Sequence, residues 1–178
     1  MKHRRAKRMG PRATALVCIA LALTLTGGAD PHAQATSDGW RTFDGGWSAT
    51  GTRQTLATES GRPALIVHLS GAIALASGGV GSGFGAEAIG FDDASGEAIG
   101  RAVWTDRNGN RIFSTLRGGP LQTGRRVIGT ITGGTGRWAN ATGDYTLTWQ
   151  YVVSDESDAM QGHSVDLHGR IRVSEARP

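Results

Sequence analysis

The most regular pattern of hydrophobic and polar positions lies between residues 145 and 153. Large apolar residues occupy every second position there, and polar residues alternate with them. The apolar positions are Tyr145, Leu147, Trp149, Tyr151 and Val153, and the polar ones are Thr146, Thr148 and Gln150. A period of two predicts a β-strand with one buried face. Residues 126–132, rich in β-branched side chains, predict a second strand, and a glycine-dense corner over residues 133–143 joins the two.

Similar short segments, separated by turn residues, follow one another along most of the chain, and helical periodicity is absent outside residues 13–26. Strands are predicted at about 47–57, 62–76, 86–91, 98–105, 111–116, 126–132, 145–153 and 163–173. The dipeptide Asn108-Gly109 favours a type I′ hairpin turn between two of them. Residues 62–76 are apolar on both faces, which is typical of a strand covered on both sides.

The number and length of these strands predict an all-β fold, either a sandwich or a closed barrel. Several of the 28 glycines lie inside the predicted strands. Tight barrels use such glycines where strands coil sharply. We therefore favour an antiparallel β-barrel of about eight strands.

The first 35 residues have the layout of a secretory signal peptide. Six Lys and Arg lie in residues 1–12, an apolar run covers residues 13–26, and Ala33-Gln34-Ala35 provides small residues for cleavage. The run is shorter than the roughly 18–20 residues of a membrane span; an uncleaved anchor is the alternative. We predict a Sec-type signal peptide at 1–35, a lead-in segment at 36–46, one barrel domain at 47–178, and a secreted or periplasmic protein without a membrane span after cleavage.

Removal of the signal peptide changes the charge of the protein. The chain has 19 Lys and Arg and 15 Asp and Glu, of which six cations and Asp30 belong to residues 1–35. The remaining 13 cations and 14 anions give a formal charge near −1, which argues against a nucleic-acid partner. Cys18 is the only cysteine, so the predicted domain has neither disulfides nor thiol chemistry.

The glycine corner resembles a signature of a known family. Residues 133–143 read Gly-Gly-Thr-Gly-Arg-Trp-Ala-Asn-Ala-Thr-Gly, similar to the GGTGRF-x-x-A-x-G signature of the allene oxide cyclase and dirigent barrel superfamily, with Trp138 in place of the usual Phe or Tyr. Residues 104–113 are similar to the D-x-x-G-D-x-hydrophobic hairpin of secreted bacterial members. The resemblance covers about residues 51–173.

The resemblance implies an eight-stranded antiparallel barrel, often a trimer, whose apolar lumen is open at one end. It also implies binding of a small hydrophobic molecule, and a cyclisation or isomerisation steered without a cofactor. The family's catalytic residues have no matching motif here. The corner itself is interpreted as structural: its glycines allow left-handed backbone angles, Thr135 is expected to cap one helical turn, and Trp138 to plug the barrel.

Ionisable side chains on apolar strands are the candidates for proton transfer, because a dry lumen shifts their pKa values. Glu87 and His68 are the candidate catalytic acid or base, and His163 is a further candidate. Arg101 is expected to pair with Glu87. For each, a solvent-facing or hydrogen-bonded position is the alternative. The candidate ligand-binding aromatic residues, for which a role in the core is the alternative, are Trp104, Trp149, Tyr151, Phe91 and Phe113.

Other chemistry is not supported by the sequence. Residues 106–117 lack the glycine and glutamate positions of a calcium loop, and His163 and His168 fall on opposite strand faces, so we predict no metal site. The leading hypothesis is a barrel that binds a small hydrophobic ligand. The alternatives are a structural or interaction protein that self-associates through its outer strand faces, and a cofactor-free isomerase or cyclase.

Overall fold

The computed structural model describes residues 39–119, 125–154 and 158–174; the predicted signal peptide and residues 36–38 lie outside this part. Eight antiparallel strands follow one another around a closed barrel, and β8 pairs with β1. The strands are β1 (Arg41–Leu56), β2 (Ala64–Ser77), β3 (Gly83–Asp92), β4 (Ala98–Thr105), β5 (Arg111–Gly118), β6 (Arg125–Gly134), β7 (Ala141–Ser154) and β8 (Ala159–Val173). The predicted all-β, eight-stranded antiparallel barrel is confirmed.

The main error in the strand assignment concerns the lead-in segment. Residues 41–46 belong to β1, which begins at Arg41. Phe43 explains the early start, because its side chain is only 1% exposed and its backbone is paired with Gly169 of β8. Phe43 thus anchors the beginning of β1 in the barrel wall. The short polar sequence around it did not indicate that a strand begins there.

The inside of the barrel is the hydrophobic core. Along β3, Phe84, Ala86 and Ala88 are buried, and the residues between them are exposed, as the pleat of a strand requires. The outer face of β2 is not covered, contrary to the expectation from its two apolar faces, because Ile66 is 49% exposed there.

Two glycines show how closely the strands approach each other. A Cβ atom on Gly71 would collide with the Ser48 carbonyl of β1, and one on Gly143 would collide with the Arg170 carbonyl of β8. Such contacts occur where strands coil tightly around a narrow barrel. The predicted role of interior glycines agrees with this geometry.

The barrel has two different ends. The closed end carries the connections at residues 78–82, 106–110 and 135–140, whereas the open end carries those at 57–63 and 93–97. Trp138 is 2% exposed, and its ring lies 6.2 Å from that of Phe84. It therefore plugs the closed end, as predicted from the glycine corner.

Thr135 does not cap the short 3-10 turn at Gly136–Trp138, so this expectation is wrong. Its hydroxyl instead accepts a hydrogen bond of 2.9 Å from the backbone N–H of Arg111. The side chain thus links the corner to the start of the neighbouring strand β5 and is unavailable to the turn that follows it.

The hairpin at residues 106–110 is confirmed, but its turn is not type I′. Within this fully described turn only Gly109 has a positive φ, of 80°, whereas a type I′ turn requires two such residues. The Asp106 carboxylate accepts hydrogen bonds from the backbone N–H groups of Asn108 and Asn110, both at 2.9 Å. These bonds hold Asn108 outside the left-handed region.

Candidate functional site

A cavity of about 70 Å³ lies in the lumen between the aromatic plug and the open end. One wall of it consists of small residues on β3 and β4. The inward positions there are Ala86, Ala88, Gly90, Ala98, Gly100 and Ala102. Because these side chains stop short of the barrel axis, the wall leaves space that Leu or Ile would fill.

The opposite wall is aromatic. The rings of Trp47 and Trp149 are 4.9 Å apart and tilted by 48°, and Tyr151 meets Trp149 edge-on at 6.1 Å. Trp149 packs so closely over Gly162 of β8 that a Cβ atom there would lie 2.5 Å from the indole ring. The glycine lets the indole lie flat against the barrel wall, and this keeps the centre of the lumen open.

The floor of the cavity is formed by Trp104 and Tyr145, whose rings are 4.8 Å apart. Tyr145 is almost fully buried, and its hydroxyl donates a hydrogen bond of 3.2 Å to Ser114. Burial raises the pKa of Tyr145 to about 12, although hydrogen bonds with the Ser114 and Trp104 side chains lower it. The phenol is therefore neutral at physiological pH.

The cavity meets solvent at the open end, where Tyr151 and Gly118 are partly exposed. Arg53 of β1 lies beside Tyr151 here. Burial raises the pKa of the Tyr151 hydroxyl, and the positive charge of Arg53 lowers it. Among the described residues, no carboxylate lies within ion-pair distance of Arg53. The mouth is consequently the positively charged part of an otherwise apolar site.

Three buried donors near this site lack a hydrogen-bond acceptor in the described part of the protein. They are the indole N–H groups of Trp47 and Trp149 and the Nε–H of Arg53. The polar side-chain groups along the cavity are thus mainly donors. Their arrangement favours a guest with an acceptor atom, because an unpaired buried donor is energetically costly.

Three of the five aromatic residues predicted to bind a ligand, Trp104, Trp149 and Tyr151, line the cavity. The other two were assigned to the wrong side of the wall. Phe91 is 44% exposed on the outer face of β3, and Phe113 is half-buried on the outer face of β5, between the inward-facing Ile112 and Ser114. Each of them is one residue away in the sequence from a position that faces the lumen, and strand alternation therefore directs its side chain outward.

The side chains of the candidate acid and base do not face the lumen, although Glu87 borders the cavity. His68 and Glu87 are exposed on the outer faces of β2 and β3, next to buried neighbours that point inward. Strand alternation directs their side chains outward, so the hypothesis that either one acts as an acid or base inside the cavity is wrong. His163 likewise lies on the outer face of β8.

The expected pairing of Arg101 with Glu87 is not observed within the described residues, where neither side chain forms an ion pair. The two residues are diagonal neighbours on the outer face, because Arg101 is opposite Ile89 and Glu87 is opposite Val103. Both charges are left facing solvent.

The small wall of the cavity was not predicted from the sequence, and neither were two residues of β1, Trp47 and Arg53. A signal for the wall was present: Ala86, Ala88 and Gly90 share one face of β3. It was overlooked because the other face carries bulkier apolar residues. Trp47 and Arg53 were hidden because the β1 sequence is mostly polar and lacks a clear apolar alternation.

Among the described residues, no group of three or more His, Cys, Asp or Glu side chains is placed to hold a metal ion. The same residues include no helix with the length and apolar character needed to cross a membrane. The chain matches no protein-family model, and comparisons with curated proteins and with solved structures found no match either.

Proposed function

We propose that this barrel binds a small hydrophobic molecule in its lumen, through the open end. The cavity beside the small wall of β3 and β4 is the observation that carries this proposal. An eight-stranded barrel is just wide enough either to be filled by side chains or to hold one small ligand. Here the closed half is filled by aromatic rings, and the open half is not.

The energetic cost of the cavity supports a binding role. At roughly 24 cal/mol per Å³ for an enclosed cavity, a volume of 70 Å³ corresponds to a stability cost of at most about 2 kcal/mol, because this cavity meets solvent at the open end. Larger side chains at Ala88 or Ala102 would remove this cost. A guest that fills the same space offsets it and gains the dispersion contacts that a void lacks.

The dimensions of the cavity restrict the guest. It is smaller than the enclosed cavity of about 150 Å³ that accommodates benzene, so a cyclic guest extends into the mouth beside Tyr151 or displaces side chains. The apolar end of the guest then contacts Trp104 and Trp149, and an acceptor group lies near Arg53. The site is therefore suited to a compact molecule with one apolar end.

Binding fits the geometry better than acid–base catalysis. Glu87 and Arg117 border the cavity, but both are exposed on the outer faces of their strands, and the permanently charged Arg53 lies at the mouth. Among the described residues, the ionisable side chains that line the interior of the cavity are the phenols Tyr145 and Tyr151, and burial raises both pKa values. Such phenols donate hydrogen bonds but are poor bases at neutral pH. A cofactor-free cyclisation or isomerisation in this lumen would rest on confinement and orientation of the guest.

Filling the cavity is expected to abolish ligand binding. Ala102→Leu and Ala88→Leu each place a branched side chain into the space, and we expect at least a tenfold loss of affinity for toluene, measured by isothermal titration calorimetry. Ala74→Leu is the matched control, because Ala74 is exposed on the outer face of β2. Thermal unfolding followed by circular dichroism verifies that each variant is folded.

If toluene binds Ala102→Leu and the unchanged protein equally, the proposed location of the site is wrong. If the unchanged protein binds no small apolar compound, the proposed function is wrong. Native mass spectrometry of protein purified from its host provides an independent test. The expected result is a co-purified apolar compound that is absent from Ala102→Leu but present in Ala74→Leu.

A further inference from the structure

The outer face of β2, β3 and β4 carries a cluster of exposed apolar side chains. Ile66, Ile89, Phe91 and Ile99 are 49%, 56%, 44% and 54% exposed, respectively. Ile66 is opposite Phe91, and Phe91 is opposite Ile99, so these three form one row across the strands. Contiguous exposed apolar surface of this kind marks an interaction site more often than isolated apolar residues do.

The cluster has a diagonal that crosses three strands. Ile89 lies one row towards the closed end from Phe91, and Val103, opposite Glu87, lies one row further along. Ile66, Ile89 and Val103 therefore form a diagonal line of apolar side chains. We call the surface formed by Ile66, Ile89, Phe91, Ile99 and Val103 the outer apolar face.

Two charged residues are placed symmetrically about this diagonal. Arg101 lies on one side of it, beside Ile89, and Glu87 lies on the other side, beside Val103. Both are exposed, and within the described residues neither forms an ion pair. One unpaired acid and one unpaired base at equivalent distances from a line make the surface complementary to a copy of itself.

We propose that the outer apolar face forms a two-fold symmetric dimer between two copies of this chain. A two-fold axis along the diagonal brings Ile66, Ile89 and Val103 against the same residues of the second copy. The same rotation places each Glu87 opposite the Arg101 of the other copy, and an isologous interface forms each such contact twice.

The second copy is favoured over other occupants by this charge arrangement. A membrane surface would be attracted by clustered positive charge, whereas this face has one charge of each sign.

The dimer goes beyond ligand binding and is independent of it, because the side chains involved point away from the lumen. It also differs from the trimer that the family resemblance implies, because a closed trimer uses two different surface patches on each copy.

Charge reversal tests the arrangement directly. Glu87→Arg and Arg101→Glu each replace two attractive contacts per dimer by two repulsive ones, and we expect each to weaken dimerisation by about tenfold. The double variant Glu87→Arg/Arg101→Glu re-forms both contacts with the signs exchanged. It is expected to restore dimerisation to within about threefold of the unchanged protein.

Sedimentation velocity on the chain purified after expression from its full sequence provides the measurement. We expect the unchanged protein to shift from monomer to dimer between about 1 and 100 µM, the range of a modest interface. Ile89→Asp is expected to remain a monomer throughout. Ile128→Asp is the control, since Ile128 is similarly exposed on β6, two strands away from this face.

A protein that remains monomeric at 100 µM would overturn the proposal and leave the face to a different partner. A trimer, or a double variant that dimerises no better than the single ones, would overturn the two-fold geometry. Toluene binding serves as the second readout: variants of the outer face that retain it are folded, so failure of the dimer is distinguishable from failure of the lumen site.

Discussion

Replacing Trp104 by alanine is expected to lower the free energy of unfolding by about 3–5 kcal/mol, the usual cost of truncating a buried aromatic residue. Trp104 is 2% exposed and its ring lies within 6 Å of Phe43, Phe84 and Tyr145. It therefore joins the plug of the closed end to the floor of the cavity. Chemical denaturation measures the loss.

The matched control is Phe113→Ala. Phe113 is on the adjacent strand, one residue beyond the partner of Trp104, but faces outward and is half-buried. We expect a clearly smaller loss of stability, because less apolar surface returns to water and no cavity forms. Equal losses for the two variants would contradict the assignment of inner and outer faces.

Trp104→Ala should also change what the lumen accepts. Removing the indole extends the cavity towards the closed end, so naphthalene is expected to bind the folded variant more tightly than it binds the unchanged protein. Calorimetry at a temperature well below its unfolding midpoint tests this. If the variant is folded but naphthalene fails to bind, Trp104 does not limit the depth of the cavity.

Replacing Asp106 by asparagine is expected to be the most damaging polar substitution. The carboxylate is 2% exposed and accepts hydrogen bonds from Arg137 Nε at 2.8 Å, Trp138 Nε1 at 3.3 Å and the backbone of the 106–110 hairpin. It therefore ties the hairpin to the plug. Asparagine replaces one acceptor oxygen by a donor, and leaves at least one of these donors unpaired.

The pH dependence of this effect follows from the pKa of Asp106. Burial alone would raise this pKa, but hydrogen bonds from Asn110, Asn108 and Trp138 outweigh it and lower the pKa from its ordinary value of 3.8 to about 2. A carboxyl group whose pKa is lower in the folded state stabilises the protein above its ordinary pKa, and this stabilisation is lost as the pH falls. The loss is expected between about pH 4 and pH 2.

Thermal unfolding across this range compares the unchanged protein with Asp106→Asn. We expect a large difference in melting temperature at pH 7 that shrinks as the pH falls towards 2. Asp144→Asn is the control, because Asp144 is half exposed and its ion pair with Arg170 at 3.0 Å is of the weak surface type. A difference that stays constant with pH would show that the charge of Asp106 is not what holds the closed end.

The strands were predictable because local sequence determines them. The alternation in β7 and the glycine corner placed Trp149, Tyr151 and Trp138 correctly, since a period of two and a tight turn depend on neighbouring residues alone. The start of β1 was not predictable in this way. Its polar residues are held by pairing with β8, more than 110 residues away, and sequence alternation carries no information about such a partner.

The inner and outer faces of β3 show where sequence reasoning failed. One face carries Glu87, Ile89 and Phe91 and the other carries Ala86, Ala88 and Gly90, so hydrophobicity alone favours the first as the core. The barrel places the second face inside, because the aromatic side chains of β1, β4 and β7 already occupy the lumen. The small residues opposite these rings leave the cavity beside them.

The sequence by itself determined that this protein is built from antiparallel strands, where most of its turns lie and, within most strands, which residues share a face. Only the tertiary structure decided which face encloses the lumen, and with it that a cavity exists beside Ala88 and Ala102 while Glu87 and His68 lie outside. The physical reason is that alternation is a property of one strand, whereas the space inside a barrel depends on the side chains of all eight strands together.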